Sequence, residues 1–394
     1  MTGTFDLWQQ AFSLASMTGA EDAQQGMPDV VAGALNSTLN TFFSDSNMVN
    51  CIGQWATVWG PVVFENTPSN TSYSDNTMYV AANADQTVYV VCIAGTNPNS
   101  TYDKDEEDEL VQYTYSWSNV FSQQPPPGLK PCISAGTGTG VLNLLAMIDT
   151  LQNTNQTLVN FLKSLPASET QQATLIFCGH SLGGALAPTL ALALFNPAAG
   201  KFSVSKSNWG AVYVYPTAGP TPGNADFGTF FSSVFAPIGS TNLPYQVWNM
   251  NVWNNIDIVP HAWNISMLDE ITTLYPASWP YPPLKLTAGI AGAKHLSNEG
   301  AATGAGPYEQ FANQCLQGTF NAGIPVSNFN SFENQALYQH TTAYIVLLNV
   351  QSLLPLNLYL PTSGAGAVRA LLRSEQQAEA FGRKSKTLEH VPIK

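Results

Sequence analysis

The chain has 394 residues, of which 44% are hydrophobic and only 10% charged, so it has ample apolar surface for a folded core. Its formal net charge of −13 excludes a simple nucleic-acid binder, because phosphate contacts need lysine and arginine. An anionic membrane would also repel most of this surface.

Neither a membrane span nor a secretory signal is visible in the sequence. No segment approaches the roughly 18 consecutive apolar residues that cross a bilayer. The N-terminal stretch MTGTFDLWQQAF has neither the basic n-region nor the apolar h-region of a signal peptide. We therefore expect a protein that stays in the cytoplasm or is exported without a signal peptide.

The cysteines are widely spaced and odd in number, which fits neither a disulfide framework nor a CxxC metal site. Two of them fall in predicted strands, where a buried thiol fills space. We therefore expect no structural metal. The five are Cys51, Cys92, Cys132, Cys178 and Cys315.

The first predicted elements are helices, because apolar residues recur at helical spacing in 5–17 and 28–43. An aromatic stretch containing glycine and proline follows around Trp55 and Trp59, and it has no clear period. Residues 78–93, MYVAANADQTVYVVCI, then predict two strands joined by a tight turn.

Residues 97–127 are polar and irregular, and they include the acidic run DKDEEDE at 103–109. Such a block of charge is usually a solvated loop or helix face. The alternative is a movable cover over a functional site.

Strands and helices alternate in the rest of the chain. We predict one long amphipathic helix over 138–165, a strand over 173–178 and then a helix to about Phe195. Two further strands are expected at 209–216 and 245–253. This alternation predicts an α/β fold in which helices flank a mostly parallel central sheet, as a single large domain.

Towards the C-terminus, periodicity is lost and then returns. Residues 286–306 are rich in glycine and alanine with little periodicity, so we expect a loop there. Helical spacing returns over 336–354.

A glycine-rich knot surrounds one serine in TLIFCGHSLGGALAPTLAL, residues 174–192. The G-x-S-x-G pattern, Gly179 to Gly183, is typical of a strained strand-to-helix turn that presents the Ser181 hydroxyl above a sheet. Chance matches number roughly 0.1 per chain of this length, so the pattern alone is weak. The strand before it and the helix after it favour a nucleophile over a tight turn with an inert serine. Pro188 should kink that helix.

A nucleophilic serine needs a base and a group that orients the base, and in such a sheet they follow in the order Ser, Asp or Glu, His. On residue types and order alone, several candidates qualify. They are the carboxylates Asp226, Asp257 and Asp269 and the histidines His295 and His340.

Three motifs carry a resemblance to a known family. GHSLGG at 179–184, VVCIAGTNPNS at 90–100 and NNIDIVPH at 254–261 resemble the class 3 (fungal-type) lipases, an α/β-hydrolase family of acylglycerol hydrolases. GPTPGNADFGTFF at 219–231 is similar to the G-N-x-x-F segment of that family. The resemblance extends over about residues 78–355 and implies an α/β-hydrolase fold.

The resemblance implies a role for each site residue. Ser181 matches the family's nucleophile, and Asp257 matches its aspartate, which precedes Val-Pro-His. Thr96 matches the residue that donates to the oxyanion through its backbone N–H and hydroxyl, and Leu182 supplies the second N–H. Asp226 and Asp269 fit the family's pattern less well.

The catalytic histidine of the family precedes a tyrosine in an H-x-x-x-Y pattern, which His340 and Tyr344 match. His295 is the alternative base. His180 should point away from Ser181, and we expect His261 to be packed or hydrogen-bonded.

We expect three segments along the chain. Residues 1–77 would form an N-terminal helical or irregular extension packed on the body, and 78–355 the class 3 lipase-like catalytic domain. Residues 356–394 would form a C-terminal basic helix and tail, because six of the 13 basic residues lie in the last 26 positions. His390 lies in this tail and is not a candidate base.

The resemblance implies a serine hydrolase that cleaves carboxylic ester bonds of lipids through an acyl-enzyme and requires no cofactor. Phospholipase A-type or polyester hydrolysis on the same machinery is an alternative, as is an inactive hydrolase fold that binds lipid. The family often places an apolar lid where this chain has its acidic run, and acidic residues would not favour docking onto lipid. Contact with lipid surfaces is therefore expected to be transient.

Overall fold

The computed structural model describes residues 3–102, 110–152, 154–198, 200–240 and 242–352. The acidic run at 103–109 and the predicted C-terminal helix and tail at 356–394 lie outside the described residues.

The structure alternates strands and helices. The helices are α1 Leu7–Ser16, α2 Pro28–Ser44, α3 Ser46–Ile52, α4 Trp117–Phe121, α5 Ala135–Ala146, α6 Leu158–Ser164, α7 Ala167–Thr170, α8 Leu182–Phe195, α9 Ala225–Val234, α10 Ile265–Glu270, α11 Leu284–Thr303, α12 Phe329–His340 and α13 Thr342–Leu347. The strands are β1 Trp55–Phe64, β2 Asn76–Asn83, β3 Val88–Ile93, β4 Thr114–Ser116, β5 Cys132–Ser134, β6 Ile148–Asp149, β7 Gln156–Thr157, β8 Thr174–His180, β9 Ala211–Thr217, β10 Asn251–Asn254 and β11 Asn313–Leu316.

The main sheet has seven strands in the order β1-β2-β3-β8-β9-β10-β11. The pairs β1–β2 and β2–β3 are antiparallel, whereas β3, β8, β9, β10 and β11 run parallel. The predicted α/β fold with a mostly parallel sheet is therefore confirmed. Helices cover both faces, as buried parallel strands require.

Alternating side chains of β8 show how the two faces are filled. Leu175 and Phe177 pack in one apolar core with α8 and α5, while Ile176 and Cys178 pack in a second core with α1 on the opposite face. Every residue of α8 is buried, which explains why this helix is apolar all round. The nucleophile motif thus lies on a deeply buried strand–helix pair of the sheet.

Most predicted elements are present. The N-terminal helices α1 and α2, the strand pair β2–β3, strand β8, helix α8 and strand β9 are confirmed. The strand predicted at 245–253 is confined to β10, and the helix predicted at 336–354 starts earlier and is split into α12 and α13. The aromatic stretch around Trp55 and Trp59 forms β1, the edge strand of the main sheet.

The single helix predicted over 138–165 is wrong. The chain leaves α5 at Ala146, and a short hairpin of β6 and β7 precedes α6. The Asp149 carboxylate closes the hairpin turn by accepting from the backbone N–H groups of Leu151 and Gln152 and from the Thr154 hydroxyl. A short aspartate that bonds its own following backbone favours a turn over a helix, and the apolar period did not reveal this.

The loop predicted over 286–306 is also wrong, because α11 runs through it. Its buried positions include three glycines and Ala293, and such small residues let neighbouring backbone approach closely. A Cβ at Gly300 would lie 2.1 Å from the Val111 carbonyl oxygen. This helix packs with α10 and α12 in a third apolar core, which lies beyond the carboxyl ends of β10 and β11.

Within the described residues, no helix combines the length and the hydropathy that a membrane span requires. The same residues contain no grouping of three or more His, Cys, Asp or Glu side chains arranged to hold a metal ion.

Glu65, directly after β1, is a buried carboxylate whose charge is poorly compensated. It is 4% exposed, and neither of its carboxylate oxygens has a hydrogen-bond partner of normal geometry. Burial raises the pKa of Glu65 from about 4.5 to about 7; the Ser69 backbone opposes this shift in part, and the nearby Asp75 carboxylate adds to it. The folded state therefore retains a proton that the unfolded chain releases, and Glu65 costs stability as the pH rises through this window.

Glu65→Gln is expected to raise the free energy of unfolding at about pH 8, by roughly 1 kcal/mol, because it removes a buried and poorly compensated charge. The gain should shrink as the pH falls from about 7 and vanish at about pH 3.5, where Glu65 is protonated in both the folded and the unfolded state. Urea unfolding at both pH values measures the difference. Glu309→Gln, at an exposed position, is the control and should show no such pH dependence. Equal effects of Glu65→Gln at both pH values would contradict the assignment.

Candidate active site

The candidate nucleophile lies at a strained turn between β8 and α8. Ser181 has φ 60° and ψ −128°, a conformation that non-glycine residues rarely adopt. Glycine is required on both sides, because a Cβ at Gly179 would lie 2.3 Å from the Gly183 carbonyl oxygen. A Cβ at Gly183 would lie 2.6 Å from the Ile93 carbonyl oxygen, so the turn also presses against the end of β3. The helix continues through Pro188 to Phe195, and nothing in the structure explains that proline.

The structure brings the three predicted triad residues into one hydrogen-bonded chain. His340 Nε2 lies 2.8 Å from Ser181 Oγ, and His340 Nδ1 lies 2.8 Å from Asp257 Oδ2. All three side chains are fully buried. The serine is the last residue before α8, the aspartate follows β10, and the histidine ends α12, so three separate elements meet at the carboxyl edge of the sheet. The arrangement can transfer a proton from the serine hydroxyl to the imidazole.

Further donors hold the Asp257 carboxylate in place. The Val259 backbone N–H donates to Oδ1 at 3.0 Å, and the Tyr344 hydroxyl donates to Oδ2 at 2.8 Å. Burial, followed by the nearby Asp257 charge, raises the pKa of Tyr344 well above its ordinary value, so its hydroxyl keeps the proton that it donates. The Asn254 backbone N–H donates to the Tyr344 oxygen at 2.9 Å. The aspartate is thus fixed from two sides before it meets the histidine.

His180, next to the nucleophile, contacts the backbone of His340. Its Nε2 lies 2.7 Å from the His340 carbonyl oxygen, and its Nδ1 lies 2.9 Å from the Thr217 hydroxyl. Burial lowers the pKa of His180 well below its ordinary value, so the ring is neutral. A carbonyl only accepts, so Nε2 carries the proton and Nδ1 accepts from Thr217. The side chain therefore points away from Ser181, as predicted.

The other histidine next to the site also has a structural contact. His261 Nδ1 lies 2.7 Å from the Asp257 carbonyl oxygen, and burial lowers the pKa of its ring. The prediction of a packed, hydrogen-bonded histidine is confirmed. His261 therefore stabilises the conformation of the loop that follows β10.

The alternative candidates for the base and the carboxylate contact groups other than Ser181 and His340. His295 is on α11, where its half-exposed side chain lies 3.7 Å from Glu299. Asp269 pairs with Lys294 at 2.6 Å and is 59% exposed. The Asp226 carboxylate accepts from the backbone N–H of Lys130. Each of these groups is engaged elsewhere.

The two predicted oxyanion donors belong to the two segments that meet at the nucleophile turn. Leu182 is the first residue of α8, where backbone N–H groups have no partner within the helix. Thr96 is fully buried and lies three residues after β3. Because Gly183 packs against the Ile93 and Ala94 carbonyl groups, the end of β3 lies beside the turn. Their role as donors to an oxyanion stays a prediction.

Two contacts of the site were not foreseen. The Asn254 side-chain amide donates to the carbonyl and side-chain oxygens of Gln339, at 3.0 and 2.8 Å. This joins the strand before Asp257 to the helix that ends at His340. Asn254 belongs to the NNIDIVPH motif, so its position was noticed, but a partner 85 residues away leaves no signal in one sequence.

Residues 90–267 match the family model described as Lipase (class 3). A comparison with curated proteins gives no match. Among solved structures, the crystal structure of M37 lipase is similar, with a TM-score of 0.70 and 24% identity over 93% of this chain and 98% of that chain. The lipase from Rhizopus microsporus var. chinensis has a TM-score of 0.40 and 16% identity, over 66% of this chain and 71% of that one. Lipase II from Rhizopus niveus gives the same score and identity, over 66% and 76%.

The M37 lipase likeness shows the fold, and the family match adds the enzyme class. The matched region contains Ser181 and Asp257, whereas His340 and Tyr344 lie beyond its end. Residues 90–267 thus match the class 3 lipases, and the structure has the α/β-hydrolase fold that the motifs predict. The match also supports the predicted enzyme class, a carboxylic ester hydrolase that acts on lipid esters.

Proposed function

We propose that this protein hydrolyses acylglycerols through a Ser181–His340–Asp257 triad and an acyl-enzyme. The observation that carries the proposal is the unbroken hydrogen-bonded chain from Ser181 Oγ through both imidazole nitrogens of His340 to Asp257 Oδ2. A serine, a base and an orienting carboxylate in this geometry form the arrangement that activates a serine nucleophile.

In the acylation half, Ser181 Oγ attacks the ester carbonyl carbon while His340 Nε2 takes the hydroxyl proton. Asp257 keeps the Nδ1–H tautomer and stabilises the imidazolium that forms. The backbone N–H groups of Thr96 and Leu182, with the Thr96 hydroxyl, would donate to the tetrahedral oxyanion. Losing one such donor typically costs about 3 kcal/mol of barrier.

Collapse of the tetrahedral adduct breaks the ester bond, and His340 returns its proton to the departing alcohol. A water molecule, deprotonated by the same nitrogen, then attacks the acyl-enzyme and releases the fatty acid. The chain's own side chains supply every proton transfer. Because Ser181 is fully buried, the ester can reach Oγ only when the residues that cover this side chain move apart.

A series of substrates tests the proposal, from soluble short-chain esters to emulsified long-chain triacylglycerol, with phosphatidylcholine and an aliphatic polyester as competitors. We expect the triacylglycerol to be hydrolysed with the highest kcat/KM. A preference for the soluble esters alone would reduce the assignment to an esterase. Faster release of fatty acid from phosphatidylcholine, or breakdown of the polyester, would favour the corresponding alternative on the same machinery.

A further inference from the structure

A short apolar projection stands out on the surface of the third core. It consists of residues 279–284, WPYPPL, which we call the apolar tip. Tyr281 is 83% exposed and Leu284 is 84% exposed, whereas the other large exposed hydrophobic side chains in the described part of the chain range from 37% to 54%. Neighbouring apolar side chains that are exposed together can mark a site of contact with a membrane or a protein.

The apolar tip is anchored at both ends. Three of its six residues are prolines, which fix their own φ angles and restrict their neighbours. At one end, the Trp279 ring packs against Phe332 with centroids 6.3 Å apart, and at the other, Lys285 Nζ lies 4.1 Å over the Phe329 ring. Both contacts are to α12, so the exposed side chains are presented by a fixed base.

The base of the apolar tip is the helix that carries the candidate catalytic histidine. α12 runs from Phe329, beneath Lys285, to His340. Twelve helical residues span about 17 Å, so the apolar tip lies roughly one short helix length from the triad. In addition, the Tyr275 hydroxyl donates to the Ile256 carbonyl next to Asp257, which ties the segment before the tip to the loop of the triad aspartate. The tip and the triad are therefore connected through α12 and through the loop that carries Asp257.

The local charge differs from that of the whole chain. Residues 271–298 contain no Asp or Glu and two lysines, Lys285 and Lys294, although the chain as a whole has a net charge of −13. This stretch therefore contributes no negative charge that would repel lipid head groups beside the apolar tip. Lysine beside tyrosine and leucine is a combination that suits the boundary between head groups and acyl chains.

We propose that the apolar tip inserts into the surface of an uncharged or zwitterionic lipid aggregate and holds the carboxyl edge of the sheet, where the triad lies, close to that surface. The patch is too small for a folded partner or a second copy of this chain, since a stable protein interface buries about 1,200 Å² or more. A lipid surface needs no complementary shape and accepts single projecting side chains. The inference rests on the proposed lipid-ester substrate, because it supplies the means by which the enzyme meets that substrate.

Vesicles of ether-linked phosphatidylcholine, which contain no hydrolysable carboxylic ester, provide the test by flotation of the full-length protein. We expect the wild type to float with the vesicles and the double variant Tyr281→Ser, Leu284→Ser to bind at least about tenfold more weakly, since each side chain loses its transfer into an apolar phase. Ile148→Ser removes an apolar side chain that is 54% exposed elsewhere, and it should bind like the wild type. Because Tyr281 and Leu284 are nearly bare, we expect the double variant to fold, and its Tm checks this.

Activity separates this inference from the proposed function. The double variant should hydrolyse a soluble short-chain ester at the wild-type rate but an emulsified triacylglycerol at least about tenfold more slowly. Failure of the wild type to float, or equal flotation of wild type and double variant, would overturn the inference while leaving ester hydrolysis intact. A change in oligomeric state with unchanged flotation would also overturn it, in favour of a contact between copies. Flotation without activity on any ester would instead overturn the proposed function alone.

Discussion

Replacing His340 with alanine is expected to lower kcat on a soluble ester by about 10⁴- to 10⁶-fold, because the serine then loses its base. His340 Nε2 is the imidazole nitrogen within hydrogen-bond distance of Ser181 Oγ in the described structure. The loss should appear in kcat and not in KM, since the imidazole acts on the proton and not on the acyl chain.

His295→Ala is the matched control for this prediction. His295 was the alternative base, and its half-exposed side chain on α11 contacts Glu299. Activity of this variant should stay within about twofold of the wild type, as for most surface substitutions. Because His340 is buried, His340→Gln, which keeps much of the volume and polarity, guards against loss of folding. Retained activity in both His340 variants with loss in His295→Ala would reverse the assignment.

Asp257→Asn is expected to lower kcat by about 10⁴-fold while leaving the fold intact. An amide nitrogen facing His340 Nδ1 donates a proton where the carboxylate accepts one, so the imidazole is forced into the tautomer with its proton on Nε2. That tautomer cannot take the Ser181 proton. The same amide nitrogen would also oppose the Tyr344 hydroxyl, which donates to Oδ2 of the native carboxylate at 2.8 Å.

The control for the aspartate is Asp269→Asn, at a 59% exposed carboxylate paired with Lys294. We expect this variant to keep wild-type kcat. Initial rates on the same soluble ester, with the Tm of each variant, make the comparison. An active Asp257→Asn enzyme beside an inactive Asp269→Asn one would show that the wrong carboxylate had been chosen.

The parts of the fold that were predictable are those whose physics is local. The nucleophile turn needs glycine at Gly179 and Gly183 for steric reasons that act close to the turn, and the apolar strand before it and helix after it follow directly from their composition. Asp257 and His340 were reached through short motifs that resemble those of a family. The hydrogen bonds that join these pieces to Ser181 are consistent with each predicted position.

The parts that were missed depend on long-range packing. Helix α11 lacks a clear apolar period because several of its buried positions are glycine, as at Gly300 against the Val111 carbonyl. The contact of His180 with the His340 carbonyl spans 160 residues and could not be read from either local pattern. The poor compensation of the Glu65 charge likewise becomes visible only when the strand and the loop around it are folded together.

The central claim is that Ser181 is an activated nucleophile, and covalent labelling of the folded protein tests it most directly. A fluorophosphonate probe followed by peptide mapping should label Ser181 to about one equivalent, with no labelling of Ser181→Ala and greatly slowed labelling of His340→Ala. Absence of labelling in the wild type under conditions that label a known serine hydrolase would contradict the claim and favour an inactive lipid-binding fold. Labelling confined to another residue would contradict it as well.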